Sequence, residues 1–148
     1  MESKPSKIHI GSIHRFISGY PYNLHQLTVR RSIVGKLTTH VLDTANGCPA
    51  AGMCFALYRE NSAAPLLTGV TNQDGRADAP LLENAGLIPG RYTLVFEVAN
   101  YFLAKGAVLP DPPFLGDVRL DFGVADSQAH YHVPLLVSPW SYSTYRGS

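Results

Sequence analysis

Six histidines stand in the 148-residue chain, and their surroundings divide them into two groups. His9, His14 and His25 lie in a polar, basic stretch where solvation is the default. His40, His130 and His132 lie in β-branched and apolar runs, where a titratable ring needs partners. In Leu37-Thr-Thr-His-Val-Leu42 a two-residue period puts Thr38, His40 and Leu42 on one face and Leu37, Thr39 and Val41 on the other. A neutral imidazole there is either a core or edge ring satisfied by a neighbouring hydroxyl or a base that works near pH 7. His130 and His132 alternate onto one side of Ala129-His-Tyr-His-Val-Pro-Leu-Leu136. Two nitrogens so spaced could face a metal, but a zinc site wants a third close ligand, and Cys48 and Cys54 form no Cys-x-x-Cys pair; no metal is expected. Pro134 suits a sheet edge or strand end, which would turn His132 toward a cavity or a partner subunit. Arg76, after the Asp74-Gly75 turn, and Arg146, near the end, read either as solvated cations or as planar forks for a carbonyl or carboxylate-like ligand. There is no Gly-x-Ser-x-Gly elbow, no phosphate-cradling glycine loop with a following lysine, and no basic stripe interleaved with aromatics.

The elements that must hold these residues are short. From Lys36 onward, β-branched and aromatic runs are broken by Gly, Pro, Asn and Asp about every ten residues, the texture of an all-β sandwich. Strands are predicted over Lys36 to Leu42, Met53 to Tyr58, Leu66 to Thr71, Gly90 to Val98, Phe114 to Val124, Ala129 to Val137 and Ser138 to Tyr145. Turns fall at Thr44 to Gly47 and Gln73 to Arg76, since Asn-Gly and Asp-Gly tolerate positive φ. In Arg91 to Val98, Tyr92, Leu94, Phe96 and Val98 share a face that reads as a core face. Ala99 to Gly106 has the composition of one or two helical turns ended by glycine. The carboxyl end stays strand-like nearly to Ser148, where most chains fray, so its last residues read as anchored.

Composition narrows the classes. The length suits one domain. Charged residues are 16% of the chain, below the usual figure of about 25%, which a buried subunit interface would explain. A net charge of +1 argues against the global attraction that nucleic-acid and acidic-membrane binders show. The charge is uneven: residues 1–36 carry six Lys/Arg and one acid, Glu2, and read as a basic N-terminal extension on a mildly acidic domain over 37–148. The extension lacks the apolar core and cleavage site of a secretory signal. Its run from Lys7-Ile8 to His14 has the outline of an amino-terminal peroxisomal address, with Arg15 where a small or aliphatic residue is expected. Two cysteines make no disulfide framework, so a cytoplasmic protein with reduced thiols is expected, with the peroxisome as the alternative. No stretch approaches the roughly 18 apolar residues of a membrane span.

Leu37-Thr-Thr-His-Val-Leu-Asp43, Cys48-Pro-Ala-Ala-Gly52, Asp74-Gly-Arg76, Tyr131-His-Val-Pro-Leu-Leu136 and the closing Ser141-Tyr-Ser-Thr-Tyr-Arg-Gly-Ser148 together resemble the transthyretin-related family, in its 5-hydroxyisourate hydrolase branch. The resemblance spans residues 37–148, and the terminal Tyr-Arg-Gly-Ser is its most specific part. It implies an eight-stranded, two-sheet transthyretin-like sandwich with one short helix, assembled as a homotetramer, a dimer of dimers with sites in the cleft between them. It implies hydrolysis of 5-hydroxyisourate in urate degradation, without a cofactor, metal, nucleic acid or membrane. It places catalytic roles on His40, Arg76, His132 and Ser148, with Tyr145, Arg146 and Gly147 joining them around the substrate. Opening a cyclic amide with water needs a base, positive charge near the developing oxyanion and a fixed substrate plane, all within reach of imidazole and guanidinium. Which histidine takes the proton stays open. The alternative is a transthyretin-like carrier that binds a hormone in an apolar channel without turnover.

Overall fold

Alternation along residues 36–43 sets the first strand: Leu37, Thr39, Val41 and Asp43 are buried, while Thr38, His40 and Leu42 are half-exposed on the other side. In the computed structural model, which describes residues 35–147, this strand β1 (Lys36–Asp43) is followed by β2 (Cys48–Pro49), β3 (Cys54–Arg59), β4 (Leu67–Val70) and β5 (Leu82–Glu83). Then come β6 (Gly90–Phe96), helix α1 (Val98–Ala104), β7 (Val118–Val124), β8 (His130–Val137) and β9 (Tyr142–Thr144). The basic extension and its address-like run fall outside the described residues except for Gly35 and Lys36, and so does Ser148.

Two sheets face one another. One has the order β2-β1-β8-β9, with β5 also paired to β1; the other runs β4-β3-β6-β7. The β1–β8 pair is parallel and in register over its whole length, from Lys36 opposite His130 to Asp43 opposite Val137. Leu37, Val41, Tyr131, Leu135 and Val137 of the first sheet pack on Phe55, Leu57, Tyr92, Leu94, Phe96 and Leu120 of the second. Each such side chain removed from water contributes about 1.5–3 kcal/mol, so this layer holds the sheets face to face. The fold class is the expected all-β, two-sheet sandwich with one short α-helix. Nine strand segments are present among the described residues where eight were expected; β2 and β5 have two residues each.

The differences from expectation lie at element ends. β1 runs on to Asp43, whose buried carboxylate accepts Asn46 N–H at 2.9 Å, Asn46 Nδ2 at 2.7 Å and the Tyr101 hydroxyl at 3.1 Å. β6 stops at Phe96, and the helix starts at Val98 because Glu97 leaves extended backbone and its carbonyl accepts from Tyr101 N. The strand predicted from Phe114 begins only at Val118, which stands opposite Phe96, the last residue of β6, so residues 114–117 have no β6 rung to join. The last strand shrinks to Tyr142–Thr144 because Ser138 folds the chain over: its N–H reaches Ser141 O, and its hydroxyl accepts from Trp140 N and Ser141 N.

Pro134 lies inside β8, between β1 and β9, and not at an edge or strand end. His132 O points toward the tail, where Gly147 N donates to it at 2.9 Å. Backbone groups two residues on point the same way, so the N–H that Pro134 lacks belongs to the β9 side. There the regular ladder starts at Leu135 opposite Thr144, and the Thr144 hydroxyl donates to Pro134 O at 2.7 Å. The β1 side keeps all its rungs, so the proline is tolerated in an internal strand.

Candidate active site

The outer face of the β1–β8 pair carries Thr38 and His40 on one strand and His130 and His132 on the other, because both strands place alternate residues there and run in register. Thr38 stands opposite His132. Its Oγ1 lies 2.9 Å from His132 Nδ1 and 3.0 Å from His130 Nε2.

Arg76 reaches this face through a turn fastened to β1. Val41 N–H donates to Gly75 O at 2.8 Å, and a bridge pairs His40 with Arg76. Gly75 has φ +70, and a Cβ there would stand 2.4 Å from Val41 O, so the close approach and the backbone conformation both require glycine. Asn72 holds the turn from within: its Oδ1 accepts Asp74 N at 3.0 Å and Arg76 N at 3.1 Å, and its Nδ2 donates to Asp78 at 3.0 Å. A second glycine brings in the tail. Gly147 bridges to His132, and a Cβ on it would lie 2.6 Å from His132 Cδ2, so the imidazole edge takes the place of a side chain.

The electrostatics favour neutral rings. Burial lowers the His40 pKa from 6.5, and Arg76 lowers it further, against a backbone hydrogen bond and a charge from Asp74 that raise it. For His132 the causes are burial first, then Arg76, His130 and His40. His130 is lowered by burial and by Lys36. A guanidinium thus sits within reach of two imidazoles held as proton acceptors at pH 7, which suits activating water beside a carbonyl that gains negative charge. Beside Arg76 a hollow of about 220 Å³ is lined by Lys36, Thr38, Asp78 and Pro80, and His40, His130 and His132 are half-exposed.

The strands and turn therefore gather His40, Arg76, His132 and the Gly147 backbone. The side chains of Tyr145 and Arg146 are not gathered with them. The Arg146 guanidinium lies 4.8 Å from the Tyr131 ring centre, on the opposite face of β8 from His132, and both residues line a separate hollow of about 370 Å³ with Tyr142 and Arg119. Thr38, His130 and Asn72 had no assigned part in the site. The spacing Asn72-x-Asp-Gly was a readable signal for a side-chain-capped turn, whereas Thr38 required knowing that residues 94 apart pair.

The sequence model described as the HIUase/Transthyretin family matches residues 37–147. A protein of Ralstonia nicotianae named 5-hydroxyisourate hydrolase is 58% identical over 117 residues, covering 78% of this chain and all of that protein. The solved structure of Klebsiella pneumoniae 5-hydroxyisourate hydrolase is 36% identical, with a TM-score of 0.64 over 77% of this chain and 94% of that one. The crystal structure of (S)-allantoin synthase is 47% identical with a TM-score of 0.74 over 78% of this chain, which spans 44% of that longer one. The terminal tetrapeptide, the in-register histidine strands and these likenesses converge: the chain belongs to the HIUase/Transthyretin family.

Proposed function

We propose that this protein hydrolyses 5-hydroxyisourate to 2-oxo-4-hydroxy-4-carboxy-5-ureidoimidazoline, a step of urate degradation. The observation that carries the reading is the bridge that brings Arg76 to His40 on the sheet face that His132 shares. In this reaction water adds to the cyclic amide carbonyl, the tetrahedral adduct carries an oxyanion, and the C–N bond then breaks as the nitrogen regains a proton. His40 and His132 together take the proton of the attacking water and return one to the leaving nitrogen. Arg76 grips substrate oxygens as a planar fork and stabilises the oxyanion with a charge that does not titrate. Ser148 and Gly147 close the tail on the substrate, with the Tyr145 and Arg146 side chains anchoring it from the hollow they line with Tyr142 and Arg119. The bridge at Gly147 supports this for the backbone, holding Gly147 against the His132 ring.

The working unit is a homotetramer, a dimer of dimers. One feature supports it: the site face is open and continues into half-exposed Leu42 and Leu136. A partner copy over this face would wall the substrate in and cover those apolar groups. The two cysteines are unpaired, which fits a cytoplasmic setting. Freshly made uricase product mixed with the protein tests the activity. Its ultraviolet absorbance should decay far faster than in buffer, and saturable binding without faster decay would defeat the hydrolase reading.

A further inference from the structure

One hydroxyl stands between two imidazoles on the open face. Thr38 Oγ1 is 3.0 Å from His130 Nε2 and 2.9 Å from His132 Nδ1, with the ring centroids 6.5 Å apart. A hydroxyl has one proton and two lone pairs, so it donates to one ring and accepts from the other, or accepts from both. Three arrangements satisfy that count. In the first, His132 Nδ1–H donates to Thr38 and the Thr38 proton points at His130 Nε2; in the second, both directions reverse; in the third, both rings donate to the hydroxyl oxygen. The first and third leave a lone pair on the outer nitrogen of His132, the second an N–H.

We propose that Thr38 and His130 are positioning residues that lock His132 as its Nδ1–H tautomer, leaving Nε2 free to accept the proton of water. This rests on the reading of His132 as a base. His130 sets the direction: while it is neutral with its lone pair on Nε2, it accepts the Thr38 proton, and only the oxygen lone pairs remain to face His132. Lys36 stands opposite His130 in the β1–β8 register and disfavours a second positive charge there. When His130 gains a proton, Nε2–H becomes a donor to Thr38 and frees the hydroxyl proton to turn to His132 Nδ1, which accepts it once the His132 proton sits on Nε2, so the bias toward the Nδ1–H base is lost. The charged and titratable groups facing this trio are Lys36 and His40 from β1 and Arg76 from the Gly75 turn, with Asp78 lining the same hollow. Among the described residues, Thr38 is the hydrogen-bond partner of the His132 Nδ1 edge.

The test is nitrogen NMR of the full chain labelled in histidine, beside steady-state kinetics. At pH 7.5 the His132 resonances should show a pyrrole-type Nδ1 and a pyridine-type Nε2. Thr38→Val keeps the shape and removes the hydroxyl. It should let the His132 signals average between tautomers and lower kcat about tenfold, the loss of one oriented hydrogen bond, with KM within about twofold. Thr38→Ser should restore both. His130→Phe should remove one ionisation from the acid limb of the kcat profile. A wild-type His132 with the opposite tautomer, or Thr38→Val matching wild type in both spectrum and kcat, overturns the proposal. His132→Ala separates the two claims: full activity in that variant ends the base assignment, whatever the spectrum shows.

Discussion

A base that must be neutral to work gains from surroundings that resist its protonation; burial does this first for both rings, and Arg76 adds to it. Because both imidazoles have pKa values below the ordinary 6.5, their proton-accepting forms persist at pH values where a free histidine is already half charged. The expected kcat profile is therefore flat through pH 7 and falls only on acidification below about 6.5, with the drop displaced to the acid side. His40→Ala and His132→Ala should each lower kcat by about 10²- to 10⁴-fold with the melting temperature nearly unchanged, since both side chains are half-exposed and lie outside the core. Activity within twofold of wild type in either variant would remove that residue from the mechanism. At this scale the sequence was informative: period-two alternation separates His40 from the buried face, and the structure has the same separation. It was silent on Thr38, because a hydroxyl facing away from the core reads as surface until its parallel partner strand is known.

Elements deliver these groups through close backbone contacts, and two glycines mark where. The turn glycine Gly75 lies at positive φ against Val41 O, so an added methyl there both strains the backbone and pushes the turn off β1. Gly75→Ala should therefore destabilise the fold by roughly 1–3 kcal/mol as well as displacing Arg76. The tail glycine differs: Gly147 meets only the His132 side chain, so Gly147→Ala should leave the melting temperature close to wild type while lowering kcat by up to about 10²-fold through misplacement of the ring. Thermal melts beside kinetics separate the two, and equal loss of stability in both variants would contradict the distinction. Turn positions were legible at Gly47 and Gly75 because Asn-Gly and Asp-Gly have few alternatives to positive φ. Strand ends were not. Asp43 joined β1 through a carboxylate bonded to Asn46 and to Tyr101 58 residues away, and Pro134 stayed internal because the lost rung falls on the tail side. Both outcomes depend on tertiary partners that local pattern does not contain.

For the whole molecule, the sandwich core and the site divide cleanly between the two faces of one sheet. Leu37, Val41, Leu135 and Val137 hold the sheets together from the inner face, while His40, His132 and the Arg76 turn occupy the outer one. The tail is fastened to the sheet chiefly at Thr144, through its hydroxyl to Pro134 O and the rung pairing to Leu135, before it reaches Gly147. Removing residues 145–148 therefore leaves β9 and the apolar packing between the sheets in place, and deletes the Gly147 contact on the outer face together with the Arg146 guanidinium over the Tyr131 ring. Turnover of 5-hydroxyisourate should be nearly abolished in that truncated chain, while sedimentation or light scattering still reports the assembly of the full-length protein. Loss of activity accompanied by dissociation would mean that the last four residues hold copies together and do not close the site. Normal turnover in an intact assembly would mean that His40, Arg76 and His132 suffice without the tail.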